Sequence, residues 1–333
     1  MEIALVSPTH LDVPGGNASA IRRLVGEMQA LGHQVSVHLA HDPEPPDTRF
    51  EVVHGFHALR GGATALRWAQ ARQVPAVVTL TGTDVNVDLL QPDTRQEVVR
   101  VLSLADGVVA LHEHQLQRAR ELSGLALAAS EVIGQGVAVG KQRYRFRTLN
   151  GLAEDAFVAF LPAGLRRVKA PHLALEAQRL RALDEPEWEL ALAGPILEDA
   201  YASELLDRME HLSHARWCGP IASEYMGACY AESDVILNTS ESEGISNAIM
   251  EAQTMGRPIV ARRNAGNESL VEDGVDGLLF ETSGQLARAL CRLQRDADLR
   301  LRLGRAAKSK AKGYPTPRQE AEAHLELYRR LGA

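Results

Sequence analysis

Short runs of β-branched and apolar residues alternate with helix-periodic stretches from one end of this chain to the other. No other feature narrows the fold as much. In the first half the runs are Ile3–Val6, Val35–Leu39, Glu51–His54, Ala76–Leu80, Val108–Leu111 and Glu131–Ile133. In the second they are Phe157–Leu161, Glu189–Ala193, Ala215–Cys218, Val235–Asn238, Pro258–Ala261 and Gly277–Phe280. Most are apolar without interruption, as strands covered on both faces of a parallel sheet must be. The stretches between them carry a helical period. In the first, Ile21, Leu24, Val25, Met28 and Leu31 recur at steps of three and four, and Gly32 ends the helix. A repeated strand–helix–strand rhythm implies an α/β fold with doubly wound sheets. In such sheets ligands sit beyond the carboxyl ends of the strands, so the loops that follow strands are where chemistry is sought.

A chain of 333 residues exceeds one hydrophobic core and divides into domains of roughly 150 residues each. The rhythm restarts near Phe157, after the basic stretch Lys141–Thr148 and the turn signal Asn150-Gly151. The expected layout is a first domain over 1–150, a second over 151–313, and a C-terminal segment over 314–333. The amphipathic helix of that last segment, Arg318–Leu331, follows breaks at Pro315 and Pro317 and can pack back on the first domain.

A net charge of −7 argues against a general nucleic-acid binder, whose surface needs a positive excess. It leaves room for a small anionic ligand in a local basic pocket. The alternating run KQRYRFR, Lys141–Arg147, reads as an exposed connector between the domains, and peripheral membrane contact through it has no further support in the sequence. Cys218, Cys229 and Cys291 show no metal-ligand spacing and fit a reducing cytoplasm. MEIALVSPTH reads as a first strand and not a leader, and no apolar window reaches the ~18 residues of a membrane span. Nothing in the sequence reports oligomeric state.

The most informative motif is SESEGISNAIMEA, Ser240–Ala252, directly after the run Val235–Asn238. Ser and Asn favour helix starts, so a helix begins near Ser246. Glu243 then sits in the loop above it and Glu251 about two turns inside. The amides of Gly244, Ile245, Ser246 and Asn247 point beyond the helix end, a natural seat for a diphosphate. An ionised carboxylate accepts from neighbouring hydroxyls, so carboxylates on either side of that seat suit a sugar and a ribose. VPGGNAS, Val13–Ser19, follows the first strand: Gly15 and Gly16 allow close backbone approach, and Asn17 can cap the next helix. TLTGTDVNVD, Thr79–Asp88, and VVHGFHALRGG, with His54 and His57, also follow strands. Asp84, Asn86 and Asp88 mimic a calcium loop, but Leu89 and Arg95 stand where its Gly and Glu belong, so no metal site is read there.

Glu243 and Glu251, seven residues apart behind a strand of the second half, resemble the signature of the GT-B retaining glycosyltransferases of family four. HALRGG, TGTDVN, GLRRVK and SEGISNAIMEA together look closest to its glycosyltransferase-1-domain-containing-protein branch, and the layout is similar to the selenosugar synthases. The resemblance runs from Gly15 to Leu279. It implies two Rossmann-like domains facing a central cleft, and sugar transfer from a nucleotide diphosphate sugar, UDP-linked, to a small acceptor. It implies no metal ion and no separate cofactor. By the resemblance Glu243 contacts the donor sugar and Glu251 the ribose diol. In LPAGLRRVKAP, Leu161–Pro171, Arg166 and Lys169 grip the pyrophosphate, with Arg167 the alternative because the frame is shortened. Residues near Ser269 and Leu270 contact phosphate or sugar. His57, Thr81 and Asp84 line the cleft on the acceptor side. Thr81 stands where many members have His, which removes one expected active-site group. Two other readings therefore stay open: a sugar-nucleotide epimerase of the same fold, and a sugar-nucleotide-binding protein without catalysis.

Overall fold

The computed structural model describes residues 1–12, 15–42, 49–180 and 187–333. The chain forms two compact units. Met1–Val137 and Tyr314–Ala333 make the first, and Ala138–Gly313 the second.

The first unit is built on a six-stranded parallel sheet. Its strands are β1 (Glu2–Ser7), β2 (Gln34–Leu39), β3 (Val52–Phe56), β4 (Ala76–Thr79), β5 (Gly107–Ala110) and β6 (Ser130–Val132), in the order β2-β1-β3-β4-β5-β6. The second unit repeats the plan with β7 (Val158–Pro162), β8 (Glu189–Ala193), β9 (Ala215–Trp217), β10 (Val235–Asn238), β11 (Ile259–Arg262) and β12 (Leu278–Phe280), in the order β12-β11-β10-β7-β8-β9. Every apolar run read from the sequence is a strand. Central strands such as β3 and β10 are buried along their whole length, whereas the edge strands β2, β6 and β9 are only partly covered. That difference follows from having helices on both faces but a neighbour on one side only.

Each sheet has one place where the chain reverses its direction of winding. In the first unit it lies between β1 and β3, and in the second between β7 and β10. Crossover connections leave opposite faces of the sheet there, so a crevice opens above the strand ends.

The helix Gly16–Ala30 buries Ile21, Leu24 and Met28, and Gly32 follows it in a left-handed conformation. Its start differs from expectation. Gly15 occupies the cap, so Asn17 lies inside the first turn and caps nothing. The final helix, Pro317–Arg330, belongs to the first unit and packs on Gly16–Ala30. Pro317 does not break it. Thr316 caps it in a reciprocal box with Gln319, and Pro317 takes the first helical position, where a missing N–H costs nothing. Arg23 and the Gly136 amide both bond the buried Glu320 of this helix. His54 of β3 lies 2.6 Å from the Tyr328 hydroxyl and 2.7 Å from Thr79 Oγ1, with the His324 ring tilted beside it at 5.2 Å. His54 is thus a core residue.

The expected boundary at Asn150 is displaced. Residues 138–150 belong to the second unit. Within KQRYRFR, Phe146 is fully buried against Phe160 of β7. The Arg147 guanidinium donates to the carbonyls of Ala153, Glu154, Ala156 and Glu232 and to the carboxylate of Asp234. The end of the run is therefore anchored in the second unit, while Lys141, Gln142, Arg143 and Arg145 are exposed as expected. Gly151 does make a turn, with φ +65°, but inside the unit.

Two outcomes follow. Arg147→Ala should lower stability by about 2–3 kcal/mol in a urea titration, since it strips donors from several carbonyls and a carboxylate, while the exposed Arg143→Ala should change it by less than about 0.5 kcal/mol. Burial drives the His324 imidazole down to about 4. The unfolded chain takes up this proton near pH 6.5 and the folded one does not, so stability falls as pH drops from 6.5 towards 4. The loss from this group is roughly 3 kcal/mol, and His324→Leu should show a shallower acid slope when urea midpoints at pH 7 and pH 4.5 are compared.

Candidate active site

The loops after β7 and β10 flank the reversal in the second sheet and are stitched together by their backbones. The amide of Glu241 donates to the Val168 carbonyl at 2.9 Å, and Thr239 Oγ1 to the Lys169 carbonyl at 2.7 Å. The loop after β8 joins them, because the Leu165 amide donates to the Pro195 carbonyl and the Leu197 amide to the Leu165 carbonyl. Arg167–Lys169 forms one tight turn that Ala170 ends with φ +44°.

This scaffold brings Lys169 to Glu243. Lys169 Nζ donates to Glu243 Oε1 at 2.6 Å, and the carboxylate is about one-tenth exposed. The same oxygen accepts from Ser240 Oγ at 2.7 Å and from Asn238 Nδ2 at 3.3 Å. Burial alone pushes the Glu243 carboxyl upward. The Lys169 charge and the bonds from Lys169, Ser240 and Asn238 together outweigh it and hold the group below its ordinary value. Asn238 also donates to Ser246 Oγ at 2.9 Å and accepts from Asn267 Nδ2 at 3.1 Å. Ser246 in turn caps the helix Asn247–Thr254, accepting from the Ile249 amide. Gly244 and Ile245 lead into that cap, so Gly244–Asn247 runs along the helix mouth as expected. Glu251 lies one turn further in, and its Oε2 accepts from the Tyr230 hydroxyl at 2.7 Å.

The two candidate guanidiniums separate cleanly. Arg167 is exposed and lies over the Tyr201 ring at 5.3 Å. Arg166 is half-buried, and its Nε is enclosed without a hydrogen-bond partner among the described residues. Ser269 Oγ is bound to the Gly266 carbonyl of its own helix.

Asn238, Ser240, Asn264 and Asn267 were not singled out from the sequence. Their signal was weak, since a polar residue closing an apolar strand looks like an ordinary strand end. Gly266 also belongs here: a Cβ on it would come within 2.4 Å of the Glu243 carbonyl oxygen. Asn264 donates to the Ser240 carbonyl from the same segment.

In the first unit Gly15 and Gly16 are exposed at the head of their helix, with open space where a Cβ would point. Val13 and Pro14 of that loop lie outside the described residues. His57 and Asp84, expected to line a surface, are both buried. The Asp84 carboxylate accepts from the amides of Ala58, Thr81, Gly82 and Val85, so it shapes two loops from within. A short acid facing a turn rich in unpaired N–H groups naturally takes this role. His57, at φ +71°, has Nε2 2.9 Å from the exposed Thr83 hydroxyl and 3.4 Å from Asp88 Oδ2. Burial, aided by Arg60 and opposed by Asp84 and Asp88, holds its imidazole below the ordinary value. Thr81 Oγ1 is buried and has no hydrogen-bond partner among the described residues. Among those residues no group of three or more His, Cys, Asp or Glu is arranged to hold a metal ion, and no helix is long and apolar enough to cross a membrane.

Two parallel six-stranded α/β sheets of this order define the GT-B fold. Residues 156–296, all within the second unit, match the family of glycosyl transferases group 1, and the chain carries that domain. It is 25% identical to glycosyltransferase 1 domain-containing protein 1 of Xenopus tropicalis, over 95% of this chain and 93% of that one. It is 29% identical to a D-inositol 3-phosphate glycosyltransferase of Kribbella flavida, over 80% and 68%. Among solved structures, HepE of Anabaena in complex with UDP and glucose superposes with a TM-score of 0.80 at 18% identity, covering 99% of this chain and 100% of that one. Sucrose-phosphate synthase of Thermosynechococcus elongatus gives 0.82 at 19%, covering 99% and 98%.

Gly266→Ala should force the Glu243 loop outward. Its melting temperature should fall by several degrees, about 2–4 °C per kcal/mol in a unit of this size, whereas Gly284→Ala, whose Cβ would meet nothing nearer than 3.6 Å, should melt close to the parent protein.

Proposed function

We propose that this glycosyltransferase moves a hexosyl group from a nucleotide diphosphate sugar, UDP-linked, to a small acceptor, with retention of configuration and without a metal ion. The observation that carries the reading is the 2.6 Å contact of Lys169 with Glu243, beside a helix mouth, where the second sheet reverses. A diphosphate suits that mouth, because the helix dipole and the amides of Gly244–Asn247 favour an anion. Glu243 then accepts from hydroxyls of the donor sugar, and Glu251 from the ribose diol. HepE, solved with UDP and glucose, supports uridine as the base.

In the reaction the bond between the anomeric carbon and the phosphate oxygen breaks, and its electron pair leaves with the diphosphate. Lys169 and Arg166 stabilise the charge that builds there, acting where a metal ion would otherwise stand. The acceptor attacks the face the diphosphate has left, through an oxocarbenium-like transition state. Its proton passes to the departing phosphate oxygen. In the first unit Gly15, Gly16 and Asn17 offer close backbone approach to a ligand. The acceptor meets the Thr81–Thr83 turn, which His57 and Asp84 hold from behind.

A thermal-shift panel of UDP-, GDP-, ADP- and TDP-sugars tests the donor, since a ligand of the folded state raises the melting point. The UDP-sugars should give the largest shift. Lys169→Ala should lower kcat by ~10²–10³, and a chelator should leave the parent rate unchanged. A Lys169→Ala rate near the parent's would remove the cation from its role. Donor turnover with no acceptor present would favour the epimerase reading instead.

A further inference from the structure

Tyr230 sits in the short helix Met226–Ala231 and is fully buried. Its hydroxyl meets Glu251 Oε2 at 2.7 Å. An ionised carboxylate has no proton to give, so the phenol is the donor. Burial, and then the Glu251 charge, hold this phenol well above its ordinary value, which keeps the donated proton on the oxygen.

The ring itself cannot drift. It meets Phe160 of β7 edge-on, with centroids 5.9 Å apart and planes at 62°. Phe160 meets Phe146 in the same manner, at 4.9 Å and 61°. All three rings are fully buried. A line of aromatic rings therefore runs from the Lys141–Arg147 segment, by way of Phe160 of β7, to one oxygen of Glu251. Edge-to-face pairs of this kind prefer a defined geometry, so the column transmits position and not only bulk. No step of the transfer reaction uses it.

A glutamate pinned at one oxygen loses the rotamer freedom that a free one gives up on binding. Such a carboxylate is ready for two neighbouring hydroxyls, and it gains less from a sugar that has only one. We propose that Tyr230 is a positioning residue that fixes Glu251 for a vicinal diol, so that the site selects ribonucleotide over deoxyribonucleotide donors. This rests on Glu251 being the ribose acceptor, as proposed above.

The test is calorimetric titration of UDP and 2′-deoxy-UDP into the parent protein, Tyr230→Phe, Glu251→Gln and the double variant. The parent should prefer UDP. Tyr230→Phe should weaken UDP by about five- to tenfold, the net worth of one ordinary hydrogen bond, and 2′-deoxy-UDP by less than about twofold. In the Glu251→Gln background the same change should have no further effect, since the group it positions is gone. Phe160→Leu, which loosens the ring and spares the hydroxyl, should move the UDP to 2′-deoxy-UDP ratio in the same direction. The ratio is read on correctly folded protein because the titration also returns the binding-competent fraction. If Tyr230→Phe weakens both nucleotides equally, or still acts without Glu251, the residue is structural and the inference falls. If the parent binds UDP and the ratio never moves, the inference alone falls. If the parent binds neither UDP nor UDP-glucose, the UDP-donor reading falls and takes the inference with it.

Discussion

The Lys169–Glu243 ion pair is the constraint on which the second unit's site depends. A carboxylate this buried would be costly without partners. Its donors come from two separate stretches of chain, Lys169 after β7 and Asn238 with Ser240 around the end of β10, and Asn267 from a third stretch donates to Asn238 in turn. None of them can move without leaving another buried polar group unmatched. Removing bulk at Gly266 is what lets this network close up against the loop backbone. The site is therefore assembled before any ligand arrives, as a charge-stabilising site must be if it is to act without reorganising.

The two glutamates of the motif live in different surroundings despite their shared sequence spacing. Glu243 answers a cation and neutral donors at the sheet reversal. Glu251 accepts from a neutral phenol. In the transfer we propose, the first stands beside developing charge and the second grips a neutral diol.

Much of this was legible in the sequence, and the reason is local. Strands such as β8 and β10 announce themselves by uninterrupted apolar residues, and Ser246 by its chemistry as a helix cap. What could not be read depends on partners far along the chain. Arg147 and Phe146 looked like an exposed alternating run, because nothing local reveals Asp234, 87 residues on, or Phe160 of the next strand. Asp84 looked like a ligand-facing acid because its four amide donors are backbone groups, which carry no sequence signature. Asn17 looked like a cap because Gly15, the residue that takes the place, also favours that position. That Arg167 lies over Tyr201 could not be read either, because the loop sequence does not contain Tyr201.

The last helix has a consequence for how the chain comes to be folded. Since Pro317–Arg330 completes the first unit, the second is an uninterrupted stretch lodged inside a divided one. The two passages of chain are even bonded side by side, the Val137 amide to the Pro315 carbonyl at 3.0 Å. During synthesis the second unit can finish folding while the first still lacks the helix that covers His54 and Phe56. The first sheet is thus closed after the second, with part of its apolar face awaiting residues made only once the whole second unit has been.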